Sequence, residues 1–462
     1  MKYFISLFLF LAVTLSATFS KANYTLTGSL SNLPNSKVFL ASIKGDAYKI
    51  IDTVEMKAGT FIFNLPDDIQ TGMLKIIPEI SFKQNRQNTP PNSLDIIFNH
   101  ENISLKTKYP WLQDSLVILE SKENKVYYDI LKQESSIQAK LKLLDPLLVQ
   151  YPSKDEFYTS LIKQYNSLQK ERAGLIKQAV RLYSGSFAAG LLAMKESPFL
   201  DAHLSEQQRL ANFKQYYFTK LDFSDERLIN SNAYTTCAIR YLSLYRNPQL
   251  NQADITKELI RAADTILVHT NHNPVVFDFI LTYLMDGFEK LNLQSVLDHL
   301  ANNYTSFTCT PENKNMLQRR LDSYRIIIAG TIAPDFKIIA PQQNEVQLSK
   351  LTNEFVLLVF WSSSCPHCEE LLPQLKRWYD AKTIDLEVVA ISLDTTASAW
   401  RNVIEKNKYN WLNICELKGW DGKIPLDYNI YATPTMFLID RSRKILAKPL
   451  NFEAFLSSVK KL

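Results

Sequence analysis

The spacing of apolar residues changes twice along this chain of 462 residues, and those changes bound what it can fold into. From Tyr24 to about Lys108 apolar and polar residues alternate in short runs: "YTLTGSL", "KVFLASI", "KIIDTVEM", "GTFIFNL", "GMLKIIP" and "LDIIFN". Turn signals such as "KGD", "KAG" and "PDD" separate them. A period of two buries one face of a strand, so residues 23–109 are expected to form an antiparallel β domain, a small sandwich. After Pro110 the period becomes helical. "SKENKVYYDILKQ" opens with Ser121 placed as an N-cap. In "DEFYTSLIKQYNSLQKERAGLIKQAVRLY" the apolar positions 161, 165, 168, 175, 179 and 182 line one helix face. The same spacing recurs through "PVVFDFILTYLMDGFEKL", "LQSVLDHLANNY" and "ENKNMLQRRLDSYRII", so residues 110–328 are expected to be all-α.

A third pattern begins at "AGTIAPDF". "EFVLLVFW" and "LEVVAISL" are continuous apolar runs, which suit strands buried on both faces. Helical stretches "CEELLPQLKRWYDA" and "ASAWRNVIEKN" follow them, then strands "PTMFLID" and "KILAKPL" and a closing helix "FEAFLSSVKKL". The order β-α-β-α-β-β-α predicts a mixed sheet with helices on both faces over residues 329–462, so the chain as a whole is multidomain.

Composition narrows the function classes. Apolar residues make up 46% and charged ones 21%, as in folded globular chains. The net charge of 52 − 47 = +5 is spread without a Lys/Arg block, and nothing points to nucleic acid. Lys2 followed by an uncharged stretch from Tyr3 to Ser20, with small residues at its end, predicts an export signal over residues 1–22, cut near Ala22. An uncleaved anchor is the competing reading, since 18 uncharged residues are at the short end of a spanning helix. The expected location is the periplasm or envelope.

Export matters for the five cysteines, because disulfides persist in oxidising compartments. Five is too few for a disulfide-stapled scaffold of this length. Cys237 in "NAYTTCAIRYL" and Cys415 in "WLNICEL" stand in apolar surroundings that suit inert buried thiols, and Cys309 in "SFTCTPE" is open. His269 and His272 in "HTNH" form half a metal site at most, and a solvated loop explains them.

Cys365 and Cys368 differ from these. In "WSSSCPHCEELLP" they stand three positions apart at the start of a helix. Disulfide exchange needs one accessible thiolate to attack and a second thiol within reach to resolve the mixed disulfide. The first turn of a helix meets both needs, because its unpaired N–H groups and positive dipole end stabilise an anion at Cys365. Pro366 fits that turn, since the donor it lacks is not used there. His367 adds a tunable charge beside Cys365. In Cys-X-X-Cys proteins such effects carry a thiol from about 8.5 to as low as about 3.5, about 7 kcal/mol of thiolate stabilisation.

On these residues the segment resembles the thioredoxin superfamily, and within it the exported TlpA/ResA-like thiol-disulfide oxidoreductases. The marks are "APDF" at 333–336, the strand ending Phe360-Trp361, "CPHC", Pro373 in the helix, and Thr433-Pro434 in "ATPT". Cys368 and Pro434 lie 66 positions apart, room for the extra helix-strand unit of that subfamily. The resemblance implies Cys365 and Cys368 as catalytic thiols and Thr433, Pro434 and Trp361 as substrate-binding residues. It implies protein thiols or disulfides as substrates, a redox partner protein that could be membrane-bound, and no cofactor or metal. "CPHC" is the sequence that DsbA-type oxidants carry. "IDTVEMKAGTFIFNL" is similar to the uncharacterised domain that precedes thioredoxin domains in exported Bacteroidetes proteins.

Two departures stand out. Thioredoxin places a buried Asp where this chain has Val359, so Cys368 lacks the usual proton relay, with Glu369 and Glu370 as weak substitutes. The turn "IDRSRKI" lacks the usual Gly. Three other readings of the site fare worse. A zinc site lacks a second Cys/His pair. A peroxiredoxin signature would need Pro and Thr where Leu358 and Ser362 stand. A purely structural disulfide leaves Thr433-Pro434 and the helix placement without a role. A different class of reading is a binding or scaffold protein with a vestigial thioredoxin domain.

Overall fold

The computed structural model describes residues 22–83, 91–247, 249–308, 315–339, 345–381 and 384–462. The expected signal up to residue 21 and Cys309 lie outside the described residues. The chain divides into two compact units, Met1–Leu244 and Tyr245–Leu462.

In the first unit, eight strands form two four-stranded sheets. They are β1 (Ala22–Ser31), β2 (Lys37–Lys44), β3 (Ala47–Glu55), β4 (Thr60–Pro66), β5 (Gly72–Pro78), β6 (Leu94–Phe98), β7 (Ile103–Lys108) and β8 (Val117–Glu120). One sheet has the order β4-β1-β7-β8 and the other β3-β2-β5-β6. Their inner faces share one core in which Leu26, Phe63 and Leu105 of the first sheet meet Leu40, Ile76 and Ile96 of the second, so the domain is a sandwich. β4 shows how the sequence dictates this: Phe61, Phe63 and Leu65 are buried while Ile62 between them is exposed. β1 and β7 run parallel, unlike the other pairs. The chain between them passes through the opposite sheet, and a crossover of that length permits parallel pairing where a tight hairpin does not.

The unit continues as helices α1 (Glu79–Lys83), α2 (Lys122–Gln150), α3 (Glu156–Leu182), α4 (Phe187–Ala193), α5 (Glu206–Tyr216) and α6 (Ala233–Ser243). Ser121 caps α2 by accepting the Asn124 N–H. Asn124, fully buried, accepts from the Ile97 amide at 2.8 Å and donates to the Ile97 carbonyl at 2.7 Å, so its side-chain amide pairs with the outer edge of β6 as a strand would. α3 buries Leu161, Tyr165, Leu168 and Ala179 as its spacing predicts, but Leu182, at the last turn, is 61% exposed. Arg172 completes the stripe, because its guanidinium pairs at 2.8 Å with buried Glu134 of α2.

The second unit opens with α7 (Gln252–Thr270), α8 (Pro274–Lys290), α9 (Gln294–Asn303) and α10 (Met316–Arg325). It then becomes a mixed α/β domain: β9 (Lys337–Ile339), β10 (Glu345–Gln347), β11 (Phe355–Trp361), α11 (Pro366–Asp380), β12 (Leu386–Ser392), α12 (Ala397–Asn407), β13 (Leu412–Cys415), α13 (Lys423–Asp427), β14 (Thr435–Asp440), β15 (Ile445–Ala447) and α14 (Phe452–Val459). Five strands form one sheet in the order β13-β12-β11-β14-β15. β11, β12 and β13 are parallel and β14 antiparallel. Central β11 explains its unbroken apolar run: Val356, Leu358 and Phe360 point into one layer, and Leu357, Val359 and Trp361 into the other, against α11 and α14. β13 and α13 add a unit that apolar spacing did not reveal, since β13 is only 4 residues long. Along the chain a β sandwich is followed by helices and then by the mixed α/β domain; the stretch 110–328 expected to be all-α is corrected at β8 (Val117–Glu120), which pairs with β7 at the edge of the first sheet. Among the described residues no helix is long and apolar enough to cross a membrane.

Candidate functional site

β11 ends at Trp361 in the middle of the sheet, and the chain turns through Ser362–Ser364 into α11. The site therefore lies at the carboxyl ends of the parallel strands, where α/β sheets open a crevice. Cys365 is the N-cap of α11 and Pro366 follows in the first turn. The Cys365 sulfur accepts the Cys368 N–H at 3.3 Å, and its S–H donates to the Thr433 carbonyl at 3.3 Å. The same N–H also donates to the Cys365 carbonyl at 3.1 Å, so the sulfur shares a first-turn donor with the cap carbonyl.

The two cysteines have unequal surroundings. Cys365 is half-buried, whereas Cys368 is 1% exposed. Burial, and after it the hydrogen bond with Cys365, pushes the Cys368 thiol up to about 12. Val359 is fully buried in the same apolar layer as Cys368, so an acid at that position would share the layer of the buried thiol. Glu369 and Glu370 are both exposed and point away from that layer. His367 is exposed beside Cys365.

The Thr433–Pro434 peptide is cis, and the loop that carries it presents the Thr433 carbonyl to Cys365. Structure thus brings Cys365, Cys368, Thr433 and Pro434 together, although more than sixty residues separate them in sequence. Trp361 is corrected: expected at the substrate surface, it is 1% exposed and packs in the Cys368 layer. As the last residue of a central strand it points into the layer under α11, and its buried indole N–H has no partner among the described residues.

One residue that the sequence reading missed organises the loop. Asp394, buried just after β12, accepts from the Ser362 hydroxyl at 3.1 Å, the Ser363 hydroxyl at 2.8 Å, the Ser363 amide at 3.1 Å and the Ser392 hydroxyl at 2.7 Å. Those bonds fix the chain immediately before Cys365. A carboxylate ending the strand next to β11 was the available signal, visible only if β12 is placed beside β11. Cys415 is half-buried, not enclosed, and its S–H donates to the Asp394 carbonyl at 3.3 Å. Burial pushes its thiol up, and that of Cys237 up to about 12. His269 stands in the last turn of α7, and burial and then His272 hold its imidazole below the usual range. Among the described residues no group of three or more His, Cys, Asp or Glu is placed to hold a metal ion.

"APDF" has a structural task. The Ala333 amide donates to the Arg443 carbonyl, the Asp335 carboxylate accepts from Ser349, and the Pro334 carbonyl accepts from the Tyr428 hydroxyl at 2.7 Å. This segment is fastened to the edge of the sheet, away from the cysteines.

Residues 329–448 match the family described as AhpC/TSA, and residues 24–127 match a domain of unknown function (DUF4369). The chain is 29% identical over 120 residues to thiol-disulfide oxidoreductase ResA of Bacillus cereus, covering 26% of this chain and 68% of that protein. It is 31% identical over 90 residues to sporulation thiol-disulfide oxidoreductase A of Bacillus subtilis, covering 19% of this chain and 54% of the relative. Several ResA relatives are spanned over 66% of their length. Among solved structures, the thioredoxin domain of a thiol-disulfide oxidoreductase from Bacteroides vulgatus is 28% identical, with 29% of this chain and 96% of that chain covered and a TM-score of 0.27.

Proposed function

Since residues 329–448 form a thioredoxin-like domain of the AhpC/TSA family, we propose that this protein is an exported thiol:disulfide oxidoreductase acting on protein substrates through Cys365 and Cys368. The observation that carries the reading is the asymmetry of the pair: a reachable Cys365 held at a helix N-terminus and against the Thr433 carbonyl, and a buried Cys368 one turn in. The relatives' names as thiol-disulfide oxidoreductases support it.

In the reducing direction the Cys365 thiolate attacks one sulfur of a substrate disulfide. A Cys365–substrate disulfide forms, the substrate S–S bond breaks, and the second substrate sulfur leaves as a thiolate that takes up a proton. Cys368 then loses its proton and attacks the Cys365 sulfur, so the Cys365–Cys368 disulfide forms and the remaining substrate thiol is released. Two electrons pass from the protein dithiol to the substrate, and a redox partner protein restores the dithiol. Oxidation of a substrate dithiol is the same path reversed. Pro434 and the backbone before it align the substrate chain beside Cys365, with exposed His367 flanking the sulfur. The apolar stretch after Lys2 supports the export signal that belongs to this proposal.

The test is turnover of insulin disulfides or of scrambled ribonuclease by the purified protein. Cys365→Ser abolishes it, and Cys368→Ala accumulates mixed disulfides through Cys365. A folded wild-type protein inactive in both assays refutes the proposal in favour of a binding protein.

A further inference from the structure

A cavity of about 700 Å³ lies next to the exchange site, and the chemistry above makes no use of it. One wall is Ala432, Pro434 and Thr435, the residues flanking Thr433, whose carbonyl meets the Cys365 thiol. Its other wall is helical: Asp298 of α9, Ser323 and Tyr324 of α10, and Ile328 and Ala329 just beyond. That second wall comes almost entirely from outside residues 329–448, so it is not part of the matched domain.

The cavity is rigidly built. Glu289 of α8 accepts from the Tyr431 hydroxyl at 2.9 Å, from the Tyr324 hydroxyl and from the Arg320 guanidinium at 2.6 Å. With their hydroxyls held at one carboxylate, the two tyrosine rings are fixed, 6.4 Å apart between centroids. The Lys448 ammonium gives two of its three hydrogens to the Ser323 carbonyl at 2.9 Å and hydroxyl at 3.0 Å. It stands 5.5 Å from the Tyr324 ring centre and 5.4 Å from that of Phe437. Burial pulls its amine down to about 8, as for a cation with little water around it. Of the lining residues, Ile328 and Leu450 are 40% and 59% exposed, alongside polar Gln294, Asp298 and Asn302. Exposed apolar side chains, fixed aromatic faces and a poorly hydrated ammonium suit an aromatic ring, which gains apolar burial and a cation–π contact together.

We propose that this cavity is a side-chain pocket for the polypeptide whose disulfide is attacked, and that it takes an aromatic residue flanking the substrate cysteine. Specificity then comes from the helices before the thioredoxin-like domain, and this inference rests on the exchange activity proposed above. A volume of about 700 Å³ exceeds one side chain and has room for the ring with adjacent backbone, within the ordinary range of ligand pockets.

The experiment uses the full chain and a set of synthetic peptides. Each carries one cysteine as a mixed disulfide with glutathione, in a Gly/Ser frame through which a single Phe is moved over the two positions on either side. For the wild type, reduced beforehand and freed of reductant, at least one Phe position raises the second-order rate constant for reduction over that of the Phe-free peptide by roughly tenfold, the value of burying one aromatic side chain. Ala329→Trp, a change at an exposed position that fills the cavity, brings that ratio to within about twofold. Far-UV circular dichroism and the thermal midpoint confirm that the variant is folded. Equal rates for all peptides with turnover intact overturn the pocket and leave the exchange proposal standing, as does a preference that persists in folded Ala329→Trp. Absence of turnover with every peptide and with insulin overturns both.

Discussion

In the proposed exchange the second step depends on Cys368, and its burial sets the expected pace of that step. A thiol at about 12 is ionised to about one part in 10⁵ at pH 7, whereas an ordinary cysteine near 8.5 is ionised to about 3%. Burial is the largest cause of that shift and persists in the mixed disulfide, while the share due to the Cys365 thiol is lost there, so the loss in thiolate is at most roughly 3,000-fold. Part of it returns, because a thiolate of higher pKa is the better nucleophile with a Brønsted slope of about 0.4–0.5, up to roughly thirtyfold here. Resolution by Cys368 is therefore up to about a hundredfold slower at pH 7 than by an unperturbed thiol in the same place. It accelerates close to tenfold per pH unit from pH 6 to 9 without levelling. The assay forms a mixed disulfide of Cys365 with 2-nitro-5-thiobenzoate and follows release of the coloured thiol by stopped flow across that range. A plateau at or below pH 8.5 would refute the reasoning, since it would mean that Cys368 titrates as an exposed thiol. The sign for stability follows from the same shift. A thiol raised in the folded state from an ordinary value near 8.5 to about 12 contributes stability fully below about pH 8.5, and loses it as pH climbs toward 12. Cys368→Ala lacks that share of the alkaline loss.

Other consequences can be measured directly. Val359→Asp puts a carboxyl in the layer that holds Cys368; as a general base it raises the pH 7 resolution rate by tenfold or more and flattens the pH slope, while a urea titration shows a loss of about 2–4 kcal/mol for burying it. Asp394→Asn keeps the shape but loses about two of the four charge-assisted bonds to the serines, and costs about 2–4 kcal/mol in urea unfolding; a change below about 0.5 kcal/mol would show that the loop is held otherwise. Glu134→Gln leaves the buried Arg172 guanidinium uncompensated, and lowers the stability of the first unit by about 3 kcal/mol, read from the urea midpoint of that unit's transition.

Much of the site was legible before the fold was known. Cys365, Pro366 and Cys368 sit within four positions, so one helix turn fixes their relation whatever surrounds it. Thr433 and Pro434 were reachable only through their resemblance to a known motif, because no local pattern ties them to the cysteines. Asp394 escaped notice for a related reason: its partners Ser362 and Ser363 are about thirty positions away, and only the pairing of β11 with β12 brings them together. Trp361 shows the opposite failure. Adjacency to the cysteine loop suggested a surface role, but the alternation of a central strand turned its ring into the core.

The sequence by itself determined the types of the longer elements, since periods of two and 3.6 and unbroken apolar runs reflect how much of each element is hidden from water, while the short β8, β13 and α13 escaped it. It also marked the pair proposed to react, because a Cys-X-X-Cys turn is local. Tertiary structure alone decided which cysteine is buried, which carboxylate holds the loop, and that β1 pairs in parallel with β7. It alone placed α9 and α10 across a cavity from Pro434. Burial and long-range pairing are properties of the whole packed chain, so no window of residues short enough to show a period contains them.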